Sequence, residues 1–189
     1  MSGLPADLGG GATLRRLEVG DAEVLYAAVD AERERLAPWF PWVAPTRSAR
    51  GEADWIASVR SNPVGLDGLG LFVDGDLAGG TGLTWEPFRV TGEIGYWLRE
   101  SFVGRGIVTA ACRVLLDEAF DVVGLHRVCI RAGVTNLRSR AVPERLGFVE
   151  EGVLRGEGSG TGGFYDLVVY GMLDDEWRAR RAAGQPPPD

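Results

Sequence analysis

The chain has 189 residues, of which 45% are hydrophobic and 25% are charged, as is typical of one globular domain with a substantial core. Its 27 acidic residues outnumber the 20 basic ones, and the net charge of −7 argues against a cationic nucleic-acid-binding face. The acidic surface either favours a cationic partner, such as an amine, or serves solubility alone.

The rarer residue types exclude further classes of protein. Cys112 and Cys129 lie in apolar stretches and are predicted to be reduced core residues, and a single histidine, His126, leaves no metal-ligand spacing. The sequence shows neither a signal peptide nor a run of about 18 apolar residues. We therefore expect a cytoplasmic protein that binds no metal and does not act at a membrane.

Hydrophobic periodicity and capping residues predict, in the first half, a strand over residues 13–17, helices over 21–36 and 48–61, and strands over 70–73, 77–85 and 93–98. The second half is predicted as a helix over 107–122, a strand over 127–132, a helix over 137–146, strands over 149–154 and 164–172, and a helix over 174–181. Residues 1–11 are predicted to be disordered and residues 156–163 to be a flexible loop. This order indicates a mixed-sheet α/β domain, not a doubly wound one.

Three local signals refine this outline. The dipeptide Asp74-Gly75 predicts a tight hairpin between two of the strands. Gly147 stands where the helix over 137–146 ends. Pro143 lies inside that helix, where it removes a hydrogen bond, so we expect a kink there or a helix that starts later.

The most informative stretch is the glycine-rich turn over residues 102–109, which reads Phe-Val-Gly-Arg-Gly-Ile-Val-Thr and lies between a strand and a helix. Such a turn gathers unpaired backbone N–H groups at the positive end of a helix dipole, and these groups bind phosphate. The chain has no lysine, which argues against a nucleotide-triphosphate loop. Thr109 stands where a dinucleotide-binding motif needs its third glycine. The turn therefore predicts another phosphorylated cofactor.

The sequence around this turn resembles the GNAT superfamily of acyl-CoA-dependent N-acyltransferases, whose motif is Arg/Gln-x-x-Gly-x-Gly/Ala. Only Gly106 matches that motif strictly. The RimJ/RimL-like branch of the family is further indicated by Leu36-x-Pro38-Trp39-Phe40-Pro41-Trp42, Glu93-Ile94-Gly95-Tyr96-Trp97-Leu98, His126-Arg127-Val128, Asn136-x-x-Ser139-Arg140 and Glu144-Arg145-Leu146-Gly147-Phe148. The resemblance spans about residues 12–178 as one domain and leaves 179–189 as a flexible proline-rich tail. It implies a mostly antiparallel mixed sheet of about six to seven strands, splayed at the cofactor slot and flanked by about four helices.

The resemblance implies acetyl-CoA as the cofactor. The residues that it would place against the cofactor are Tyr96, Trp97, Leu98, Val103, Gly104, Arg105, Gly106, Ile107, Val108, Thr109, Asn136 and Ser139. Backbone N–H groups of residues 103–108 would hold the pyrophosphate, and an N–H near 96–98 could stabilise an oxyanion. Arg105 either adds charge or faces solvent. Asn136 hydrogen-bonds the pantetheine arm, caps the following helix, or does both.

Two residues are candidates for the chemistry. Glu93 would accept the proton of the incoming amine, directly or through a water, and its alternative is an exposed acid at a strand end. Ser139 would donate to the leaving thiolate, because the family's usual tyrosine position is Pro143 here. The alternative for Ser139 is an ordinary helix serine. If the strand is regular, Glu93, Gly95 and Trp97 share one face.

The sequence predicts the residues of the acceptor site less clearly than those of the cofactor site. The residues proposed to bind the acceptor are Trp39, Phe40, Trp42, Trp85, Tyr165 and Asp166. The aromatic loop over 37–42 either walls this site or plugs the core, and Tyr96 could join the wall. Asp166 either binds a cationic amine or serves as a strand-end partner.

Three functions remain open on the sequence. The first is an N-acetyltransferase acting on a protein or peptide N-terminal amine, as the branch implies. The second is an enzyme that acetylates a small amine, such as an aminoglycoside, a polyamine or a peptide antibiotic. The third is a CoA-binding sensor without catalysis. The length of the acyl group is also open, and exposed strand edges in this architecture often pair, which leaves a homodimer open.

Overall fold

The computed structural model describes residues 4–61, 65–86, 88 and 90–184. The strands are β1 Ala6–Gly9, β2 Ala12–Arg16, β3 Leu69–Val73, β4 Asp76–Trp85, β5 Thr91–Leu98, β6 Arg127–Gly133, β7 Val149–Gly160 and β8 Gly163–Leu173. The helices are α1 Ala22–Ala31, α2 Arg33–Leu36, α3 Ala49–Ser61, α4 Ile107–Asp117, α5 Leu137–Leu146 and α6 Asp174–Ala182. Within these residues, no helix is both long and apolar enough to cross a membrane.

All eight strands lie in one sheet in the order β1-β2-β3-β4-β5-β6-β8-β7. Every neighbouring pair is antiparallel except β5 and β6, which run parallel. That parallel pairing covers only three residues and ends at Glu93 and Cys129. Beyond this point β5 continues against β4, while β6 continues against β8. The two central strands therefore separate, and the expected splay of the sheet is confirmed.

Both faces of the sheet are covered by helices, and each face has its own apolar core. Leu71 belongs to the cluster that contains Leu115 of α4, whereas its neighbour Phe72 belongs to the cluster that contains Val29 of α1 and Ile56 of α3. Adjacent strand residues point to opposite faces, so the helices of the two clusters sandwich the sheet. Burial of each such large side chain contributes about 1.5–3 kcal/mol.

Several local predictions are confirmed. The hairpin turn has Asp74 at φ 51° and Gly75 at φ 90°, the left-handed conformations that a two-residue turn of this kind requires. Helix α3 begins after Ser48, whose hydroxyl accepts from the N–H of Gly51 at 3.2 Å. Gly147 ends α5 at φ 79°. Both cysteines are free thiols, and Cys112 lies in the core, but Cys129 is only partly buried, so its prediction as a core residue is wrong.

Other predictions are wrong in their extent. Ala6–Gly9 is an ordered strand paired with β2, although residues 1–11 were expected to be disordered. The helix predicted over 21–36 breaks into α1 and α2. Helix α6 runs to Ala182, into the segment expected to be a flexible tail, and residues 185–189 lie outside the described part. The sheet has eight strands, not six or seven, and the described residues form six α-helices, not about four, besides short 3₁₀ segments and a π-helix over Glu118–Val123.

The glycine-rich segment over 156–163 is not a flexible loop, because β7 continues through it to Gly160 and pairs with β8. Its glycines permit close packing. A Cβ at Gly160 would lie 2.0 Å from the carbonyl oxygen of Pro38, and a Cβ at Gly158 would lie 2.2 Å from the ring of Tyr165. The N–H of Thr161 donates to the carbonyl of Ala37 at 3.0 Å. The hairpin is thus ordered by docking on the aromatic loop.

Candidate active site

A cavity of about 750 Å³ opens where β5 and β6 separate, between the start of α4 and the start of α5. Every residue predicted to contact the cofactor lines it: Tyr96, Trp97, Leu98, Val103, Gly104, Arg105, Gly106, Ile107, Val108, Thr109, Asn136 and Ser139. The sequence prediction grouped three segments that are distant along the chain, and the fold brings them together around one space.

The glycine turn at the start of α4 presents a row of free donors to this cavity. Gly104 and Gly106 have φ of 83° and 74°, which is the left-handed region that glycine adopts without strain. The first bond of the helix is made by the N–H of Ala110 to the carbonyl of Gly106 at 2.9 Å. Within the described chain, none of the N–H groups of residues 104–109 donates to a backbone carbonyl. Such an array at a helix N-terminus suits phosphate groups.

Arginines surround the same cavity, and sequence reasoning had singled out only one of them. Those lining the cavity are Arg35, Arg105, Arg113, Arg138 and Arg145. Arg105 stacks its guanidinium 5.0 Å from the ring centre of Phe102 and donates to the carbonyl of Ser101. Arg145 donates to the buried hydroxyl of Thr109 at 3.2 Å. Because these arginines come from four different segments, no local motif could have revealed them.

Tyr96, Ser139 and Asn136 form one hydrogen-bonded group on the wall of the cavity. The Tyr96 hydroxyl donates to the backbone carbonyl of Ser139 at 2.9 Å, and the Ser139 hydroxyl lies 3.3 Å from the Tyr96 hydroxyl, as a donor to it. Burial raises the pKa of Tyr96 far above its ordinary value, so the phenol stays protonated and remains a donor. The Asn136 side chain accepts from the N–H of Ser139 at 3.3 Å, so it caps α5 while it lines the cavity.

Pro143 does not delay the start of α5, which begins at Leu137 as predicted. Proline has no N–H, so it cannot bond to the carbonyl four residues earlier, which is that of Ser139. Tyr96 supplies the missing donor from β5. This resolves the conflict between the proline and the helix pattern.

A second cavity, of about 610 Å³, lies on the other side of β5 and shares Phe40, Tyr96 and Trp97 with the first. Its floor is made by alternate residues of two paired strands: Gly80, Gly82 and Thr84 of β4, and Glu93, Gly95 and Trp97 of β5. The prediction that Glu93, Gly95 and Trp97 share a face is therefore confirmed. The glycines leave the floor open, and a Cβ at Gly80 would lie 2.7 Å from the indole nitrogen of Trp97.

Glu93 projects into this second cavity as half of an ion pair. Arg131 of β6 donates to both of its carboxylate oxygens, from Nε at 2.9 Å and from a terminal nitrogen at 2.6 Å. Glu157 of β7 lies 3.6 Å from the same guanidinium. Bidentate pairing fixes the orientation of the Glu93 carboxylate and leaves each oxygen with a further lone pair. The sequence suggested the acid but not its partner, which comes from the neighbouring strand.

Two further acids line the second cavity, and sequence reasoning missed both. Glu52 of α3 is only 7% exposed, and Asp67 lies in the segment before β3. Burial raises the pKa of each carboxyl above its ordinary value. Neither side chain shows a hydrogen bond or an ion pair within the described residues, unlike Glu93. The only sequence signal was the position of Glu52 one turn before Trp55 on an otherwise amphipathic helix.

Only some of the aromatic residues proposed to bind the acceptor line a cavity, and they do not all line the same one. Phe40 and Trp42 line the second cavity, and Trp39 lines the first. Trp39 also packs edge-on against Tyr165 at 5.4 Å, and the Tyr165 hydroxyl donates to the Trp39 carbonyl at 2.7 Å. The aromatic loop over residues 37–42 thus lines both cavities and also packs against the β7–β8 hairpin.

The structure does not bring Trp85, Tyr165 or Asp166 into either cavity. Trp85 packs against the core that contains α4. Asp166 accepts from the N–H of Gly156 at 2.8 Å, where β7 bulges away from β8. Its carboxylate is therefore a strand partner, which is the structural alternative that the sequence left open. Tyr165 contacts Trp39, which lines the first cavity.

Comparison with known proteins identifies the family. Residues 12–149 match the family model of the acetyltransferase (GNAT) domain. The chain belongs to the GNAT acetyltransferase family. The resemblance drawn from the sequence is thereby confirmed, and the expected fold is that of this family.

Relatives place this GNAT chain in the RimJ/RimL-like branch. It is 40% identical to the "Putative ribosomal N-acetyltransferase YdaF" of Bacillus subtilis (strain 168) over 177 residues, which cover 89% of this chain and 94% of the relative. The structure of RimJ from Mycobacterium smegmatis in complex with CoA-disulfide has a TM-score of 0.79 and 26% identity, and covers 92% of this chain and 89% of that one. The structure of the microcin C7 self-immunity acetyltransferase MccE in complex with acetyl-CoA and AMP has a TM-score of 0.83 and 26% identity. It covers 92% of this chain and 97% of that one. The GNAT chain is therefore an N-acetyltransferase, and the interpretation as a sensor without catalysis is not supported.

Proposed function

We propose that this enzyme transfers an acetyl group from acetyl-CoA to the primary α-amine at the N-terminus of a peptide or protein. The observation that carries this proposal is the meeting of two cavities at β5: a donor-rich one on the side of α4, and an acid-lined one on the side of α3. They share only Phe40, Tyr96 and Trp97. Donor and acceptor can therefore enter from opposite sides and meet at this strand.

The first cavity fits coenzyme A by the chemistry of its lining. The free N–H row over residues 104–109 suits a diphosphate, and the arginines at the rim suit a further phosphate. Acetyl-CoA, when bound, supplies the acetyl group as a thioester. The unpaired edge of β5 beyond Glu93 and the side chain of Asn136 would hold the pantetheine arm in the splay.

Glu93 is proposed as the proton acceptor for the amine. An N-terminal ammonium must lose a proton before its nitrogen can attack a carbonyl. Glu93 lies on the floor of the acceptor cavity, and Arg131 keeps its carboxylate turned to that floor. The proton passes to Glu93 directly or through one water, and Arg131 acts as a positioning residue.

Ser139 is proposed as the donor to the departing thiolate. Its hydroxyl faces the first cavity, close to the strand at which both cavities meet. The Ser139 hydroxyl donates to the Tyr96 hydroxyl, and rotation about the Cα–Cβ bond of Ser139 would turn it toward the cavity. The backbone carbonyl of Ser139 stays held by Tyr96 during such a rotation.

A peptide end is favoured as acceptor by the form of the second cavity. Its rim is open, since Trp42 and Trp55 are 37% and 43% exposed. Its volume lies within the range of pockets that take drug-sized ligands, which exceeds the needs of a single simple amine. The names of YdaF and of the "Ribosomal-protein-serine acetyltransferase" of Escherichia coli (strain K12), 36% identical over 90 residues, agree with an acceptor of this class.

A small-molecule amine is the second candidate acceptor. The aromatic side chains of Phe40, Trp42 and Trp97 would suit a flat ring. The ring centres of Phe40 and Trp42 are 5.5 Å apart, and those of Trp42 and Trp97 are 6.4 Å apart. The likeness to MccE, solved with AMP, supports this alternative. The cytoplasmic location and the homodimer stay predictions.

A thiol-release assay decides between these acceptors. We expect peptides with a free N-terminal α-amine to be acetylated with a kcat/KM at least about tenfold above that of aminoglycosides or monoamines. The matched control is the same peptide with a blocked N-terminus, and mass spectrometry locates the acetyl group. Acetylation of small amines alone would refute the peptide proposal.

A further inference from the structure

The unpartnered acids of the second cavity point to a feature of the acceptor. Glu52 is more than nine-tenths buried and lines the cavity, and within the described residues its carboxylate has neither a hydrogen bond nor an ion pair. A buried carboxylate without a partner destabilises a fold, so such groups are normally paired. No buried side-chain oxygen among the described residues lacks a partner, so the Glu52 carboxylate opens to the cavity, where an entering cation can pair with it.

Asp67 faces the same space from the opposite side. A Cβ added to Gly82 would lie 2.8 Å from an Asp67 carboxylate oxygen, so this acid rests on the glycine floor. Next to it, a Cβ at Gly68 would lie 3.9 Å from the ring of Trp55, which is one helical turn from Glu52. Glu52, Trp55 and Asp67 therefore line the cavity where α3 approaches the segment before β3. Two carboxylates beside an indole ring form a receptor for an organic cation.

Along β5 this part of the cavity lies between Glu93 and Trp97, but its two acids belong to α3 and to the segment before β3, not to β5. Gly82 is paired with Gly95, whereas the shared residue Trp97 is paired with Gly80, two positions along the strand. Strand geometry puts Gly82 on the order of 8 Å from Trp97, two residues along and one strand across. The Glu93 carboxylate is paired with Arg131 and is assigned to the reacting amine, so it is not counted in this subsite.

We propose that Glu52 and Asp67 form a subsite for a second cationic group of the acceptor, other than the amine that receives the acetyl group. On the proposed function, on which this inference rests, the second cation is a basic side chain close to the peptide N-terminus. Burial raises the pKa of both carboxyls in the free protein, and an entering cation offsets that effect.

Matched acceptors that differ only in the second charge test this subsite. The first pair is the peptide amide Ala-Arg-Ala-Ala and its analogue with citrulline in place of arginine. The second pair is 1,5-diaminopentane and pentylamine. We expect wild-type enzyme to favour the dication of at least one pair by about tenfold or more in kcat/KM, with the difference mainly in KM.

Two isosteric variants, Glu52→Gln and Asp67→Asn, should each reduce this preference severalfold. Asp54→Asn is the control, because Asp54 is exposed on the same helix and lines neither cavity. The preference is the ratio of two kcat/KM values measured on the same protein, one for the dication and one for its matched acceptor. Partial unfolding lowers both values equally, so it cannot produce the expected change in the ratio.

Failure of this inference and failure of the proposed function give different results. Equal kcat/KM values within both wild-type pairs, or a preference that both variants keep, would overturn the cation subsite and leave peptide acetylation standing. Turnover of the diamine without turnover of either peptide would overturn the peptide proposal and keep the subsite.

Discussion

The hydroxyl of Tyr96 donates to the backbone carbonyl of Ser139 across the space between β5 and α5. This carbonyl is free because Pro143, four residues later, has no N–H to offer it. A proline that would ordinarily weaken a helix therefore leaves a carbonyl through which the wall of the first cavity is bonded to the strand that carries Glu93. The contact also fixes where the Ser139 hydroxyl rests.

A double-mutant cycle tests this link. Tyr96→Phe should lower the free energy of unfolding by about 1–3 kcal/mol, because it removes the donor to the part-buried Ser139 carbonyl. In a Pro143→Ala background the restored N–H can bond to that carbonyl, so the loss should shrink. Urea unfolding of the four proteins measures both values. The control is Tyr26→Phe, and equal losses in both backgrounds would show that Pro143 is not the cause.

Glu93→Gln should lower kcat/KM at pH 7 by about 100-fold, which is within the range for loss of a general base. The deficit should shrink above about pH 8, where an α-amine is already neutral. A pH–rate profile measures this. Glu157→Gln is the matched control, because it also faces Arg131 but lines neither cavity. Identical profiles for the two variants would remove Glu93 from the mechanism.

Ser139→Ala should lower kcat by about tenfold, the value of a hydrogen bond of roughly 1.5 kcal/mol to a charged group. The KM for acetyl-CoA should stay unchanged, because the backbone carbonyl that Tyr96 holds is retained. Steady-state kinetics with varied acetyl-CoA separates the two constants, and Ser58→Ala on the exposed side of α3 is the control. A raised KM with an unchanged kcat would instead make Ser139 a binding residue.

Glu52→Gln should make the stability of the protein less sensitive to pH. Because burial raises the pKa of Glu52 in the folded state, the native protein retains a proton that the unfolded chain has released. Wild-type stability from this group is therefore present below the unfolded pKa of about 4.3 and is lost as the pH rises toward the folded value. Between pH 4 and pH 7, urea unfolding should show the variant gaining stability relative to wild type. A constant difference across this range would contradict the prediction.

Gly160→Ala should destabilise the fold by about 1–3 kcal/mol, since its Cβ would lie 2.0 Å from the backbone carbonyl of Pro38. Gly162→Ala in the same hairpin meets nothing within 4 Å and is the control. Urea unfolding gives the stability, and tryptophan fluorescence reports displacement of Trp39. If both variants unfold alike, the hairpin does not depend on this contact.

Features that depend on neighbours in the chain were predictable from the sequence. The Asp74-Gly75 hairpin, the span of α5 between Asn136 and Gly147, and the glycine turn at Gly106 each follow from the conformations that a few adjacent residues allow. These signals identified residues that line the first cavity, because the family motif is itself a local turn. Periodicity likewise placed Glu93, Gly95 and Trp97 on one face.

Only the tertiary structure decided which distant groups meet. Arg131 reaches Glu93 because β5 and β6 pair in parallel just before they separate, and Tyr96 reaches Ser139 across that same opening. Glu52 and Asp67 share a cavity because α3 and the segment before β3 both border the space above the glycines of β4. The chain alone determined its turns and caps, since these need only local dihedral preferences. The packing of strands and helices decided charge pairing and cavity lining, because both depend on contacts between residues far apart in sequence.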